Sequence, residues 1–462
     1  MAMLRIIVHL KTSDDECPFA KERKKLIEDI KLAAAIQEPV EPIFAEWMKH
    51  LEPEHYWDIQ TKAFVSDVPL YAIGFWNLLS DYLSHNAISK LRDLGTFYHL
   101  LPENPNAAEW LVCWLIGFAI GEKLQGVYGG MECIIDELVK KLPDQDNLHT
   151  EHRVVALERT DSNKLKLVFE GSKKSAPVAS QEYDRVILAL PKSPLQELVR
   201  ESGAVFAAER EMSQLLDSAF GFPMVKTFYV VKNRWWEEEN RANRYATRVP
   251  TRELHYWKAL TKDSRQGMIM AYTDRPASVF WANYVPPGAQ TDVHRSSEKE
   301  LPEPTRKRLV KKAVQYFREN DLPEMTPDDV VWYGIRDWGR EPFGGANHAW
   351  RPERQYWVVM RRLADIPASE QGGLPTVHIC GEAYSDYHWF MEGSLRSAVY
   401  VMHRILDRKD GNTFEFMPWL LVDDRAADRA ALRVEEKYLV SLRKWAAHLD
   451  SYNMTTLYMY AP

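Results

Sequence analysis

Residues 377–398 read Val-His-Ile-Cys-Gly-Glu-Ala-Tyr-Ser-Asp-Tyr-His-Trp-Phe-Met-Glu-Gly-Ser-Leu-Arg-Ser-Ala. The apolar run ending at Cys380 predicts a short strand over 376–380, Gly381-Glu382 a turn, and 393–406 a helix opening at Met391-Glu-Gly-Ser. A helix N-terminus presents unpaired N–H groups and a positive dipole end. It stabilises negative charge on a ring or pyrophosphate aimed at it. Gly381 lets the backbone approach a bound molecule closely, and Glu382 can accept a hydrogen bond from a sugar or polyol hydroxyl. A plain strand–loop–helix with a glycine turn has the same pattern.

Upstream, residues 20–125 have mostly helical spacing. Leu26, Ile27, Ile30 and Leu32 recur among charges over 21–37, Pro39 and Pro42 end that stretch, and helices over 70–83 and 109–120 follow. The run 126–130 (GVYGG) breaks the pattern before an amphipathic helix over 131–142. From about 151 the period shortens to that of strands, at 153–158, 165–170 and 182–190, the last stopped by Pro191. A helix follows over 194–200. Strand-like runs at 227–231, 268–272 and 279–284 precede a helix over 305–319, with Leu309, Ala313, Val314 and Phe317 on one stripe. Residues 424–450 read as a long charged helix, and no internal repeat is visible.

Length and composition bound the answer. The 462 residues suggest about three domain-sized units. A hydrophobic share of 45% and a charged share of 27% are ordinary for a globular chain. Lys+Arg 59 against Asp+Glu 66 gives −7, which argues against a nucleic-acid binder. The longest apolar run, residues 110–120, would rise about 16 Å as a helix, half a bilayer core, so no membrane span is expected. The N-terminal stretch lacks the apolar core and cleavage site of a signal peptide. Cys17, Cys113, Cys133 and Cys380 form no CxxC pair, which fits buried thiols in a reducing compartment and no metal site. A cytoplasmic protein is expected.

The 377–398 segment resembles the C-terminal flavin signature of FAD-dependent amine oxidases and L-amino-acid oxidases, the monoamine oxidase-like fold. In that family a Gly-Glu pair precedes a loop and a helix that opens beneath the isoalloxazine ring. The spacing from Gly381-Glu382 to Glu392-Gly393 looks closest to microbial amino-acid oxidases. Other segments are similar in the same order. Gly129-Gly130-Met131 resembles the family's Gly-Gly-Met turn, and 153–158 the strand whose backbone, at Val155, meets the adenine. Residues 183–191 resemble a strand ending in Pro near the dinucleotide, 226–236 a strand ending in a Trp pair, and 337–350 the Trp-rich segment facing the flavin.

One part of the family pattern is missing. No GxGxxG follows a strand anywhere in the chain. A partner chain that supplies it, a flavin-free relative, or a front end missing from the given chain would each account for this. The first is the favoured reading. Loss of that unit would expose a sheet edge and a large apolar face needing cover.

The resemblance thus implies an α/β (α+β) flavin amine oxidase-like two-domain fold, with the N-terminal dinucleotide-binding βαβ missing from this chain. Residues 1–125 would be the helical part of the substrate domain, 126–200 a remnant of the FAD domain, and 201–349 the rest of the substrate domain. Residues 350–410 would be the C-terminal FAD-binding segment and 411–462 a helical tail. The implied activity is oxidative deamination of a small amine or amino acid to an imine and hydrogen peroxide. FAD would be shared with a GxGxxG-containing partner in a hetero-oligomer. The alternative is a non-catalytic scaffold that keeps the fold.

The resemblance also implies roles for single residues. Phe390 would be an aromatic wall facing the substrate. Trp389 stands where the family usually has Gly, so it would line the flavin site and either fill or block the cavity. Trp350 and His348 would approach the flavin edge, His348 orienting a carboxylate or a proton. Arg252 would grip a carboxylate in bidentate fashion or form a surface ion pair. Val155, Gly381, Glu382 and Met391 complete the expected FAD contacts. Lys226 and the run Glu237–Glu239 read as solvated.

Overall fold

The computed structural model describes residues 2–94, 103–117, 127, 129–143, 147–172, 181–206, 209–238, 244–246, 250–258, 264–274, 277–284, 303–320, 324–340, 343–367 and 375–406. The helix expected over 424–450 lies outside them, as do residues 118–126.

The N-terminal third is helical: α1 (Ala2–His9), α2 (Pro18–Ala35), α3 (Glu41–Lys49), α4 (Pro53–Lys62), α5 (Phe75–Ser80), α6 (His85–Leu94) and α7 (Ala107–Gly117). Prolines in the first turns of α2, α3 and α4 start helices where their missing N–H costs nothing. Short strands β1 (Lys11–Thr12), β2 (Ala63–Val65) and β3 (Val68–Pro69) are threaded among them. The helix expected over 70–83 is broken. Leu70–Ala72 is a single 3₁₀ turn, and Gly74, extended at ψ 150°, restarts the chain as α5. Apolar faces of these helices form one core, around Ile6, Phe19, Ile59, Phe75 and Leu111.

A second core gathers the later elements. These are α8 (Glu132–Lys140), β4 (Val154–Arg159), β5 (Leu165–Phe169), β6 (Val186–Ala189), α9 (Lys192–Glu201), α10 (Glu209–Leu216) and β7 (Ala219–Phe222), with the C-terminal segments β13 (Asn347–Trp350), α14 (Tyr356–Leu363), β14 (Ile366–Pro367), β15 (Pro375–Cys380) and α15 (Met391–Leu406). All but α8 contribute to that core or border it. Strands β15 and β6 run parallel, Val377 opposite Val186 and Cys380 opposite Ala189, while β7 pairs antiparallel with β13.

The third core lies under a five-stranded antiparallel sheet in the order β12-β8-β11-β10-β9. Its strands are β8 (Val225–Val231), β9 (Arg244–Ala246), β10 (Glu253–Lys258), β11 (Gly267–Thr273) and β12 (Val330–Asp337). Strands β8 and β11 alternate strictly between buried and half-buried positions. The buried face, with Val225, Tyr229 and Ile269, packs on Leu309, Ala313 and Phe317 of α13 (Glu303–Asn320). Tyr229 meets Phe317 edge-on at 5.1 Å. The stripe expected on that helix is the one that is buried.

The expectation of a strand at 279–284 is wrong. Ala277–Ala282 is a helix, α12, following the short α11 (Trp235–Glu238). Phe280, Trp281 and Tyr284 cluster on Tyr316 at helical spacing, and the Trp281 indole donates to the Pro250 carbonyl. The run of large apolar residues had signalled burial, and helical rather than alternate spacing satisfies it.

Two features bear on what surrounds the site. None of the nine residues of α8 is buried, although it is amphipathic. Met131, Ile135, Leu138 and Leu142 form an exposed stripe there; Met391, Leu395 and Met402 form another on α15, and Ile187 is exposed on β6 at the edge of its sheet. Asn106, wholly buried, ties distant segments. Its amide nitrogen lies within hydrogen-bond reach of the Tyr71, Arg351 and Arg354 carbonyls, and its oxygen caps α7 by accepting from Ala108 and Glu109 N–H. Among the described residues no helix is long and apolar enough to cross a membrane, and no cluster could hold a metal ion.

Candidate functional site

The parallel pair β6–β15 delivers the chain to Gly381, whose φ of +119° is a conformation that favours glycine. Its N–H donates to Ser397 Oγ on α15 at 2.9 Å, so strand end and helix are fixed to one another. Tyr387 O and Ser385 Oγ close over Gly393, where a Cβ would overlap both. The N-terminal turn of α15 stays open, with Phe390 44% and Met391 38% exposed.

Glu382 is the pivot of the loop. Its Oε2 lies 2.7 Å from His348 Nδ1, and its Oε1 accepts the N–H groups of His348 at 3.1 Å and Trp389 at 2.8 Å. Burial alone would raise this carboxyl, but the His348 hydrogen bond and charge, with His388 and the Trp389 N–H, hold it down to about 2. Both oxygens are thus engaged within the chain. His348 sits on β13 opposite Gly221 of β7, with Nε2 3.4 Å from the Lys192 backbone nitrogen.

A second carboxylate–imidazole pair lies alongside. His388 Nδ1 contacts Glu109 of α7, and its Nε2 reaches the Ala383 carbonyl at 3.1 Å. Burial alone would lower the His388 pKa, yet the Glu109 carboxylate beside it, with Glu382 and the Ala383 carbonyl, pushes it up to about 9. The other Glu109 oxygen accepts the Trp350 N–H at 2.9 Å. Asp386 pairs with Arg396, and burial raises its pKa to about 6. Its Oδ1 is buried with no hydrogen-bond partner among the described residues.

The structure brings His348, Glu382 and Trp389 into direct contact. The Trp389 indole N–H also donates to the His348 carbonyl at 2.8 Å. Trp350 is wholly buried, its indole bonded to the Ser385 carbonyl and stacked on Tyr356 at 5.4 Å, so it supports the loop from beneath. Phe390 leans on Tyr387 at 5.4 Å and faces outward. Val155 occupies an irregularity in the β4–β5 ladder, where the register shifts between Val154 and Ala156. Arg252 makes no surface ion pair: it is buried, at φ +58°, with Nε 2.9 Å from Asp274 and Nη1 donating to the Arg92 carbonyl. Lys226 is not a solvated lysine either. It is half-buried on the sheet face opposite Val225 and Tyr229, with its ammonium 4.7 Å over the Tyr272 ring, and burial lowers its pKa.

Glu109, His388, Asn106 and Asp386 are the functional-site neighbours that the sequence reading missed. A lone acid inside an apolar helix was the available signal, since a buried carboxylate requires a partner. The loop suits the ring half of a flavin, because Gly381 allows close approach, the α15 N-terminal turn is open, and Asp386 Oδ1 is an orphan acceptor nearby. No glycine-rich strand–helix turn for an ADP half occurs among the described residues.

Comparison with known proteins bears on the family and the fold. A family model described as flavin containing amine oxidoreductase matches residues 13–406. Among solved structures, a single-residue variant of putrescine oxidase is similar at a TM-score of 0.50 and 14% identity, covering 73% of this chain and 69% of that one. Wild-type putrescine oxidase bound to putrescine gives 0.47 and 14%, covering 88% and 86%. Cyclohexylamine oxidase from Brevibacterium oxydans IH-35A gives 0.47 and 13%, covering 86% and 77%. No curated protein sequence matches. The match spans most of the chain and the fold is the one expected: the chain belongs to the flavin containing amine oxidoreductase family.

Proposed function

We propose that this chain is a subunit of an FAD-dependent amine or L-amino-acid oxidase, completed by a partner chain that supplies the GxGxxG unit for the ADP half of the cofactor. The observation that carries the reading is the passage from β15 through Gly381 and Glu382 to the open N-terminus of α15, beside His348. Gly381, Met391 and the first turn of α15 would hold FAD, whose chemistry would be acceptance of the hydride equivalent of the amine-bearing carbon, with oxygen as final acceptor and imine and hydrogen peroxide as products. Phe390 and Met391 would hold and shield the amine, and Gly381 would let the ring lie against the backbone. The α15 N-terminal turn would stabilise negative charge. The Glu382–His348 pair keeps the loop rigid, and Val155 would meet the adenine. With Arg252 engaged by Asp274, an amine without a carboxylate is the better-suited substrate.

The partner is supported by the missing motif and by the exposed stripes on α8 and α15 with the open edge of β6. A parallel sheet is ordinarily covered on both faces, and a nine-residue amphipathic helix with nothing buried gains little stability of its own. In this reading 126–200 and 350–410 belong to the flavin domain, the assembly is a hetero-oligomer, and its compartment is the cytoplasm. A second reading, a scaffold that has lost catalysis, is favoured by the Trp389 side chain lying at the site and by the engagement of both Glu382 oxygens.

A visible absorption spectrum, taken on the chain alone and co-produced with a GxGxxG-bearing neighbour-encoded chain, tests the proposal. Flavin only in the two-chain sample is expected. Flavin in the lone chain would remove the partner, and flavin in neither would leave the scaffold.

A further inference from the structure

We propose that Trp389 is the wall that sets the size of what this site admits. Its indole fills an aromatic slot between the tilted rings of Trp110 and Phe222, so that the site takes small aliphatic amines and excludes amines bearing an aromatic ring. The amine part of this inference rests on the function proposed above.

The backbone is the first observation. Trp389 has φ +84°, a conformation rare for any bulky L residue. Such a conformation persists only where the surroundings over-determine it, and here they do so from both ends. The backbone N–H is held by Glu382 Oε1, and the indole N–H by the His348 carbonyl. The ring lies 4.8 Å from Trp110 and 5.2 Å from Phe222 by centroid, at tilts of 51° and 56°. Anchors at both ends describe a fixed wall and not a swinging lid.

The placement is the second observation. Trp110 and Phe222 are buried walls, whereas Trp389 is only half-buried and adjoins the exposed Phe390 and Met391. It therefore packs on the N-terminal core from the solvent side and is not enclosed within it. Without it the slot would have two aromatic faces and one carbonyl acceptor, the set of groups that an indole ring satisfies. Glycine at 389 accepts the backbone without strain, and asparagine tolerates positive φ better than other side chains.

The test uses the full chain with Trp389→Gly, Trp389→Asn as the second variant, and indole as the probe. Saturable binding of indole with a rise in melting temperature is expected in the variants and not in the wild-type chain. A variant that melts cooperatively yet binds indole no better than wild type overturns the proposal. So does loss of cooperative melting in both variants, which would make Trp389 a core residue. In the flavin-bearing assembly, Trp389→Gly should raise the kcat/KM ratio for 2-phenylethylamine over n-butylamine by at least about tenfold, the scale on which an apolar pocket discriminates by size. An unchanged ratio refutes the wall. Indole binding by the variants without turnover of either amine supports the slot and refutes the oxidase reading instead.

Discussion

Replacing Glu109 with glutamine tests whether the buried Glu109–His388 pair is ionised. His388 rises from an ordinary 6.5 to about 9 in the fold, which corresponds to about 3 kcal/mol between its two protonation states. Because the folded value lies above the unfolded one, this stabilisation is fully present below pH 6.5. It is lost as pH rises through about 9. The carboxamide keeps an oxygen for the Trp350 N–H but removes the charge that holds the His388 proton. Glu109→Gln should therefore be less stable than wild type by about 3 kcal/mol near pH 6, and the gap should narrow steadily toward pH 10. Urea unfolding followed by tryptophan fluorescence at a series of pH values reads that gap, and groups common to both proteins cancel in the difference. A gap of equal size at pH 6 and pH 10 would refute the reasoning, since it would make the pair an ordinary neutral hydrogen bond.

Other substitutions probe the same loop and its surroundings. Glu382→Gln loses the contact that holds the carboxyl at about 2 instead of 4.5, a loss of about 3 kcal/mol at neutral pH. The wild-type advantage, present above pH 4.5, should vanish as acid titration passes through about 2, as read by melting at graded pH. Gly393→Ala drives a Cβ into the Tyr387 carbonyl and should cost about 1–3 kcal/mol, measured by denaturation. Arg252→Ala removes the buried guanidinium paired with the Asp274 carboxylate and should cost about 3–5 kcal/mol, with no rescue by lysine, which cannot reach both Asp274 and the Arg92 carbonyl. A loss below about 1 kcal/mol would mean that the pair is solvated.

The elements that could be read from sequence were those whose signal is local. The amphipathic stripe of α13, the strand–glycine–helix passage at 376–406, and the strand-like runs of β4 and β5 on either side of a turn each lie in one short window. The short strands of the N-terminal third have two or three residues apiece and no period to read. At α12 the apolar run was read with the wrong period, because Phe280, Trp281 and Tyr284 show their helical clustering only against Tyr316 of another helix. The site was half legible for the same reason. Gly381, Glu382 and His348 stood out through family spacing, whereas Glu109 meets His388 across 279 positions, and neither residue alone announces a pair. Lys226 was read as solvated and Arg252 as a carboxylate grip or a surface ion pair, since nothing near them in sequence reveals the Tyr272 ring or the Asp274 carboxylate.

Asn106 has a consequence for how the molecule comes apart. One carboxamide joins the Tyr71 turn, the start of α7 and the 351–354 corner, while its own N–H donates to the Trp350 carbonyl. Fraying at the start of α7 would take this donor from the Tyr71, Arg351 and Arg354 carbonyls together. The helical third and the C-terminal third should therefore exchange their seam amides with solvent at a common rate, through a single opening event. Nicking or loosening either half would unlock both, and the seam would act as the latch that decides whether the chain opens all at once.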